Sequence, residues 1–234
     1  MKNKFKCLHC GKCCDKVYTQ INITIGDILR ILSSINLDAK TLFEKYIGIN
    51  PFPSEQENVY DYELGLNIPC KFRKDGKCTI YKARPLNCRM FPYWIMAKIP
   101  KEKIKEIVDS SYSCIHNTKI DAKTEKKYKD YVKQVGFLIL QESRMTDDIM
   151  NYLKFKRNID ISKKAKAIEK KFKKSKGREF EKKIQEAKIK LCISLLDKKD
   201  AKEILCKLTK TMETMPTYPF ASLEDLDAIE GIIK

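Results

Sequence analysis

The sequence predicts a mainly α protein, in which a small cysteine-rich domain with a short β-hairpin precedes an α-helical C-terminal region. Eight of the ten cysteines and six of the eight prolines lie in the first 118 of the 234 residues. The rest of the chain repeats apolar residues at helical spacing and carries few turn signals. We therefore predict one domain at residues 1–118 and a second region at residues 119–234.

The first part alternates short elements with loops. Residues 20–25 are rich in β-branched side chains and are followed by a helix start, where Thr24 is the expected N-cap and Asp27 completes a capping box. Apolar residues then recur on one face up to Ile35. A second helix is predicted from Asp38 to Tyr46.

The next stretch combines proline, β-branched and turn residues. Gly48 is expected to end the second helix, and Pro51 and Pro53 indicate a loop. Residues 59–66 are a candidate strand. The turn signal at residues 74–77 predicts a hairpin that brings Cys70 and Cys78 together.

The second part reads as successive helices. Its two cysteines, Cys192 and Cys206, lie in apolar helical stretches and are predicted to be buried core thiols. The predicted helices cover residues 123–145, 163–176, 178–196 and 201–212.

The chain is strongly basic, with a formal net charge of +17. The segment from Lys154 to Lys190 alone holds 16 basic and 5 acidic residues. Such a segment suits nucleic acid or another acidic partner, but charge runs are usually solvated helix faces, and nucleic-acid binding is not favoured. The 41 lysines against 7 arginines also argue against bidentate base readout.

Eight cysteines form a spaced constellation. Gaps of two residues let one short loop place several sulfurs on one metal centre. A disulfide framework would need an oxidising compartment, and the basic N-terminus is not followed by the apolar segment of a secretory signal. No apolar run is long enough to span a bilayer, so we expect a soluble protein. The lack of a secretory signal predicts a cytoplasmic location, and the cysteine spacing predicts metal binding. The candidate ligands are Cys7, Cys10, Cys13, Cys14, Cys70, Cys78, Cys88 and Cys114.

Cys13 and Cys14 are adjacent, and neighbouring residues project in different directions. One of them is therefore expected to serve a different centre or not to ligate. Eight thiols suffice for two four-ligand sites, or for one site with spare thiols. His9 and His116 each lie near a cysteine and are weaker candidates.

The surroundings of the later cysteines are also informative. Arg84 and Arg89 flank Cys88 and are candidate cofactor-binding residues, because their charge offsets that of clustered thiolates. The alternative for Arg84 is a structural salt bridge to Asp61 or Glu63.

Taken together, these motifs resemble a known family. Cys7-x-x-Cys10-x-x-Cys13-Cys14 combined with the Ile80-Tyr81, Arg84-Pro85 and Cys88-Arg89 pattern is similar to the YkgJ-type cysteine-cluster (CxxCxxCC) family of zinc- or iron-chelating domains. The resemblance covers roughly residues 5–117. It implies a metal centre but no single reaction, and relatives often carry Pro-Gly after the cysteine that corresponds to Cys114, where this chain has Ile115.

The spacing of the ligands favours an iron–sulfur cluster, such as 4Fe–4S, over zinc, since the later cysteines form no paired zinc knuckle. The expected role is redox or metal handling, with an unknown protein or redox partner. One alternative is implied by the resemblance alone, since one branch of the family is similar to the flagellin lysine N-methylases: a lysine N-methylase-like enzyme that uses S-adenosylmethionine. The chain contains no Gly-x-Gly fingerprint. The other is a zinc-stabilised nucleic-acid-binding module. The sequence identifies no catalytic residue, so whether the protein is an enzyme stays open.

Overall fold

The structure is a computed structural model. It describes residues 5, 7–8, 10–15, 20–53, 60–98, 103, 113–116, 118–142, 146–172, 177–212, 223–231 and 233.

Helices dominate the described chain, which confirms the mainly α prediction. Short helices carry cysteines in the first part, and long helices make up most of the second part. The helices are α1 Lys12–Asp15, α2 Ile25–Ser34, α3 Ala39–Lys45, α4 Leu86–Met90, α5 Tyr93–Lys98, α6 Ser113–His116, α7 Ala122–Glu142, α8 Thr146–Arg157, α9 Ile161–Lys171, α10 Gly177–Ser194, α11 Lys198–Met212 and α12 Leu223–Gly231.

Local capping chemistry sets the starts of α2 and α3, as the sequence predicts. The Thr24 hydroxyl accepts a hydrogen bond from the Asp27 amide, and the Asp27 carboxylate accepts one from the Thr24 amide, each at 3.0 Å. Asp38 caps α3 by accepting from the Thr41 amide at 2.8 Å.

Three strands form an antiparallel sheet in the order β1-β3-β2, with β1 at Gln20–Ile23, β2 at Ile47–Pro53 and β3 at Tyr60–Asn67. The expected loop at Pro51 and Pro53 is wrong, because both prolines lie in β2. An edge strand tolerates proline, since one side of its backbone has no ladder partner to donate to.

The predicted hairpin is present as β4 (Arg73–Lys74) and β5 (Lys77–Cys78). Its turn residues Asp75 and Gly76 have φ values of 50° and 76°. Positive φ at both central residues is typical of the tight turn that Asp-Gly favours.

The second part forms helices close to the predicted ranges. Helix α8 had not been predicted. Helix α9 spans Ile161–Lys171, and residues 173–176 of the predicted helix lie outside the described residues. The short helices α4, α5 and α12 were also missed.

Two hydrophobic clusters make up the core, and each draws side chains from both sides of residue 118. The first joins α2, α3 and the sheet to α8, α10 and α11. The second joins α4 and α5 to α7 and α12. The division at residue 118 stays a prediction, but the two parts share their cores.

A buried charged network links α2 to α7. Arg30 donates to both carboxylate oxygens of Glu142 at 2.6 and 2.8 Å, and to Asp27 at 2.7 Å. Thr24 donates its hydroxyl proton to Glu142. The Arg30, Asp27 and Glu142 side chains are fully buried. We call these four residues the Arg30 region.

None of the helices in the described residues is long and apolar enough to cross a membrane.

Candidate metal centre

All eight cysteines of the constellation line one cavity of about 630 Å³. They reach it from three segments: the N-terminal run, the hairpin with helix α4, and helix α6. The structure thus brings together every cysteine that the sequence identifies as a candidate ligand. The rest of the wall is largely apolar and aromatic, with arginines interspersed.

The N-terminal run is held in place through its backbone. The Phe5 amide donates to the Tyr128 hydroxyl at 2.8 Å, which attaches the segment before Cys7 to helix α7. Further along, the Cys70 amide donates to the Cys14 carbonyl at 3.0 Å. This second bond fixes Cys14 beside the loop that carries Cys70.

Arg73, a residue that sequence reasoning missed, lies against the same run. Its guanidinium donates to the Cys10 carbonyl at 3.0 Å and to the Asp15 carboxylate. A side chain at Gly11 would collide with this guanidinium, and Gly11 has a φ of 73°. Glycine at position 11 is therefore required both by the backbone conformation and by the close approach of Arg73.

The Nε atom of Arg73 is buried and has no hydrogen-bond partner among the described residues. An unpaired buried N–H is unfavourable unless an acceptor completes it. Because Arg73 lines the cavity beside the thiols, an anionic or sulfur-rich group in the cavity would supply that acceptor. Only the motif Cys70-x-x-Arg73 hinted at this position, and the sequence contains many other basic residues near cysteines.

The hairpin positions Cys70 and Cys78. Phe72, between them in sequence, is buried and stacks on Tyr46 with ring centroids 4.2 Å apart. The Thr79 amide donates to the Phe72 carbonyl at 2.8 Å, which extends the hairpin pairing past Cys78. The two thiols therefore stand on one folded-back loop, as predicted.

Helix α4 carries Cys88 and is anchored at its start. The Leu86 amide donates to Asp27 at 3.0 Å, and the Asn87 side chain donates to the Asn22 carbonyl at 2.6 Å. Asp27 thus serves the capping box, Arg30 and helix α4 together. The Arg30 region consequently supports the helix that presents Cys88.

Arg84 and Arg89 line the cavity and share one buried carboxylate, Glu230 of helix α12. Arg84 donates to Glu230 at 2.8 Å and stacks on Tyr81 at 4.1 Å, and Arg89 also donates to Glu230. Arg84 thus forms a salt bridge, as the alternative to a cofactor-binding role predicts, and the partner found is Glu230; the side chains of Asp61 and Glu63 lie outside the described ones. Burial and the neighbouring Arg84 lower the pKa of Arg89, although Glu230 opposes this shift. The Asp227 carboxylate also lies 3.9 Å from Arg89, so carboxylates offset the charge of both arginines, and their cofactor-binding role stays a prediction.

Helix α6 brings Cys114 to the cavity. Ile115 beside it is buried, and the Thr118 hydroxyl donates to the Cys114 carbonyl at 2.5 Å. Cys114 contacts the second hydrophobic cluster, as Cys13 does.

Burial and mutual repulsion keep most cavity thiols protonated. Burial raises the pKa of Cys88 well above its ordinary value, and repulsion from Cys70, Cys14 and Cys78 adds to the shift. For Cys70 the pKa is raised to about 11, mainly by burial. In Cys114 burial again comes first, followed by repulsion from Cys10. Binding a metal must therefore displace protons from these thiols.

The donor set fits zinc or iron chemically, since both accept thiolates and Arg73 offers an unsatisfied donor. Among the described residues, however, no three Cys, His, Asp or Glu side chains lie close enough together to hold one ion. The thiols line the walls of the cavity and do not converge on one point. When bound, such a group supplies electron transfer if it is an iron–sulfur cluster, or structural cross-linking if it is zinc.

Other candidates from the sequence have different outcomes. Cys192 is 2% exposed and belongs to the first hydrophobic cluster, as predicted. His9 lies outside the described residues, and so do the side chains of His116 and Cys206. Their roles stay predictions.

Comparison with known proteins agrees with the cysteine pattern. A model of the family CxxCxxCC, described as a putative zinc- or iron-chelating domain, matches residues 6–129. Because this match covers more than half of the chain, the protein belongs to the CxxCxxCC family, and the resemblance inferred from its motifs is confirmed. The matched region extends past residue 118 into helix α7.

An uncharacterized protein of Methanocaldococcus jannaschii is 27% identical over 138 residues, which cover 57% of this chain and 71% of that protein. No solved structure matches the chain.

Proposed function

We propose that this protein holds an iron–sulfur cluster in the cysteine cavity and acts in electron transfer or metal handling. The observation that carries the proposal is the arrangement of eight thiols around a cavity of about 630 Å³. Four sulfurs 2.3 Å from one zinc ion would lie about 3.8 Å from one another. In a cluster each thiolate binds a different iron, so the sulfurs stand farther apart and suit a lined cavity better.

The walls support the same choice. Met90, Phe91 and Trp94 give the cavity an apolar wall, and Arg84 and Arg89 add two guanidinium groups. Apolar surroundings and N–H donors are the means by which proteins tune the potential of such clusters. Arg73 Nε is a donor of this kind that none of the described residues engages.

The test is anaerobic purification followed by a visible spectrum and assays of iron, zinc and acid-labile sulfide on one sample. We expect a brown protein with iron and sulfide in similar amounts, bleached by dithionite and restored by air-free oxidation. A colourless protein with stoichiometric zinc, or one that takes up neither metal, would overturn the proposal. Cys192→Ser serves as the matched control, because that thiol is buried in the core and should not affect loading.

The alternatives from the sequence remain hypotheses. Zinc binding is one outcome of the assay above. Nucleic-acid binding through the segment from Lys154 to Lys190 and methyl transfer from S-adenosylmethionine each need a separate binding measurement.

A further inference from the structure

We infer that the cavity holds two separate four-cysteine centres and that the adjacent Cys13 and Cys14 belong to different ones. The inference rests on the proposed metal binding and adds how the ligands are divided. The first centre is formed by Cys14, Cys70, Cys78 and Cys88. The second centre is formed by Cys7, Cys10, Cys13 and Cys114.

The first centre lies beside the sheet. Cys70 and Cys78 pack against the first hydrophobic cluster, and the hydrogen bond from the Cys70 amide to the Cys14 carbonyl brings Cys14 to them. Helix α4 adds Cys88. The start of this helix is hydrogen-bonded to Asp27 of α2 and Asn22 of β1, which lie on the same side of the molecule as the sheet. Cys88 accordingly has Cys70, Cys14 and Cys78 as its thiol neighbours.

The second centre lies beside helices α5 and α7. Cys13 and Cys114 both pack against the second hydrophobic cluster. Phe5, just before Cys7, packs there as well and is bonded to Tyr128 of α7. The thiols that chiefly repel Cys114 are Cys10 and Cys7.

Sequence spacing supports the same division. Cys7, Cys10 and Cys13 have the two-residue gaps with which a loop supplies three ligands to one cluster, and a distant cysteine supplies the fourth. Cys14 is the thiol left over in the run, and the other side of the cavity has three thiols that need a fourth.

The adjacent pair also has a physical reason to separate. Consecutive residues of a helix project about 100° apart. Cys13 packs against the second hydrophobic cluster, whereas the Cys14 carbonyl accepts from the Cys70 amide beside the first cluster.

The first measurement is the metal content of the reconstituted wild-type protein. Two centres predict about eight irons per chain for two [4Fe–4S] clusters, or about two zinc ions. A content of about four irons or one zinc ion would overturn the division. No uptake of either metal would instead contradict the proposed function, so the two failures are distinguishable.

Paired variants test which cysteines go together. Cys14→Ser and Cys13→Ser should each retain about half of the metal. The double variant Cys14→Ser/Cys88→Ser removes two ligands of one centre and should also retain about half. The double variant Cys14→Ser/Cys114→Ser touches both centres and should lose all of it.

Two results would contradict the division: loss of all metal in each single variant, or equal retention in both double variants. Circular dichroism checks that each variant keeps its helices, and Cys192→Ser should load like the wild type. If a double variant does not fold, the two single variants still decide, because spectra of the remaining centres must differ between Cys13→Ser and Cys14→Ser.

Discussion

The Arg30 region and the cysteine cavity both place arginine charge inside the protein, but they differ in how completely carboxylates surround that charge. Arg30 is fully buried, and two carboxylates accept from it. The Arg73 side chain is 26% exposed at the cavity, and its partners are one carboxylate and one backbone carbonyl. Removing a partner should therefore be costly in the first region, whereas the second leaves arginine charge facing the cavity.

The largest effect is expected from Glu142→Ala, which leaves Arg30 buried without its main partner. Breaking a buried ion pair from one side costs about 3–5 kcal/mol of unfolding free energy. Urea unfolding of the metal-free protein measures it. Glu125→Ala is the control, because the Glu125–Lys129 pair is 37% and 56% exposed and should change stability by less than about 1 kcal/mol.

If Glu142→Ala proved as mild as Glu125→Ala, the Arg30 region would not be the stabilising region that its geometry indicates. A folded Glu142→Ala protein should still load metal, because Glu142 does not line the cavity.

Gly26→Ala probes the same region by crowding. A Cβ at Gly26 would lie less than 3.0 Å from the Glu142 carboxylate, so the buried ion pair must shift. We expect a loss of about 1–3 kcal/mol. The control is Gly136→Ala in helix α7, where a Cβ meets nothing within 4 Å and alanine should stabilise the helix by roughly 0.5–1 kcal/mol.

Thermal unfolding of both variants gives the comparison directly. Opposite signs at Gly26 and Gly136 would support the close packing around Glu142. A gain of stability in both would show that the carboxylate has room to move.

The Arg30 region shows what local sequence can predict. Thr24 and Asp27 were recognised as a cap because their partners lie within four residues. The burial of Glu142 was not foreseen, because its partner lies 112 residues away and a glutamate at the end of an amphipathic helix ordinarily faces water. The loop prediction at Pro51 and Pro53 is wrong for a similar reason. The sequence does not show that β2 is an edge strand, where proline is tolerated.

In the cavity, Arg73→Met should weaken metal binding by about 10–100-fold, the usual effect of removing a group that supports metal ligands. The metal affinity of Arg73→Lys should lie between those of Arg73→Met and the wild type, because lysine keeps the charge and loses the Nε donor. Competition with a chelator measures the affinity.

Arg157→Met is the matched control. Arg157 pairs with Asp200 at 2.5 Å, and neither residue lines the cavity. Metal affinity that is unchanged in Arg73→Met would remove Arg73 from the site.

The smallest expected effect is a dependence of the unfolding free energy on pH. Bound metal should change this dependence for cavity thiols but not for core thiols. The pKa values of Cys70 and Cys192 are raised from 9.0 to about 11, in both cases chiefly by burial. Between pH 9 and 11 the unfolded chain loses these protons while the folded chain keeps them. The free energy of unfolding of the metal-free protein should therefore fall as the pH rises.

Urea unfolding at several pH values tests this, with Cys70→Ala and Cys192→Ala compared with the wild type so that the common titration of lysines cancels. Each variant should show a shallower fall. In the metal-bound protein Cys70 should no longer contribute to this fall, because the metal displaces its proton. The contribution of Cys192 should remain. An identical slope in all three proteins would show that the thiols do not titrate in this window.

For the site, the sequence predicts which cysteines lie at the cavity but not what surrounds them. The eight cysteines were identifiable because thiols at these spacings have few other uses. Arg84 lines the cavity, but its partner Glu230 lies 146 residues away, and no local pattern indicates it. The division of the thiols between two walls depends on which core each segment packs against, which is a property of the whole fold.

The contacts that hold the cavity together join residues far apart in the chain: Phe5 with Tyr128, and Arg89 with Glu230, separated by 123 and 141 positions. Contacts of such high contact order form late, because long loops must close first. Until they form, thiols destined for the cavity are open to sulfenic acid and mixed disulfide formation. The yield of correctly folded protein should therefore depend on how quickly the chain closes relative to how fast its surroundings oxidise cysteine.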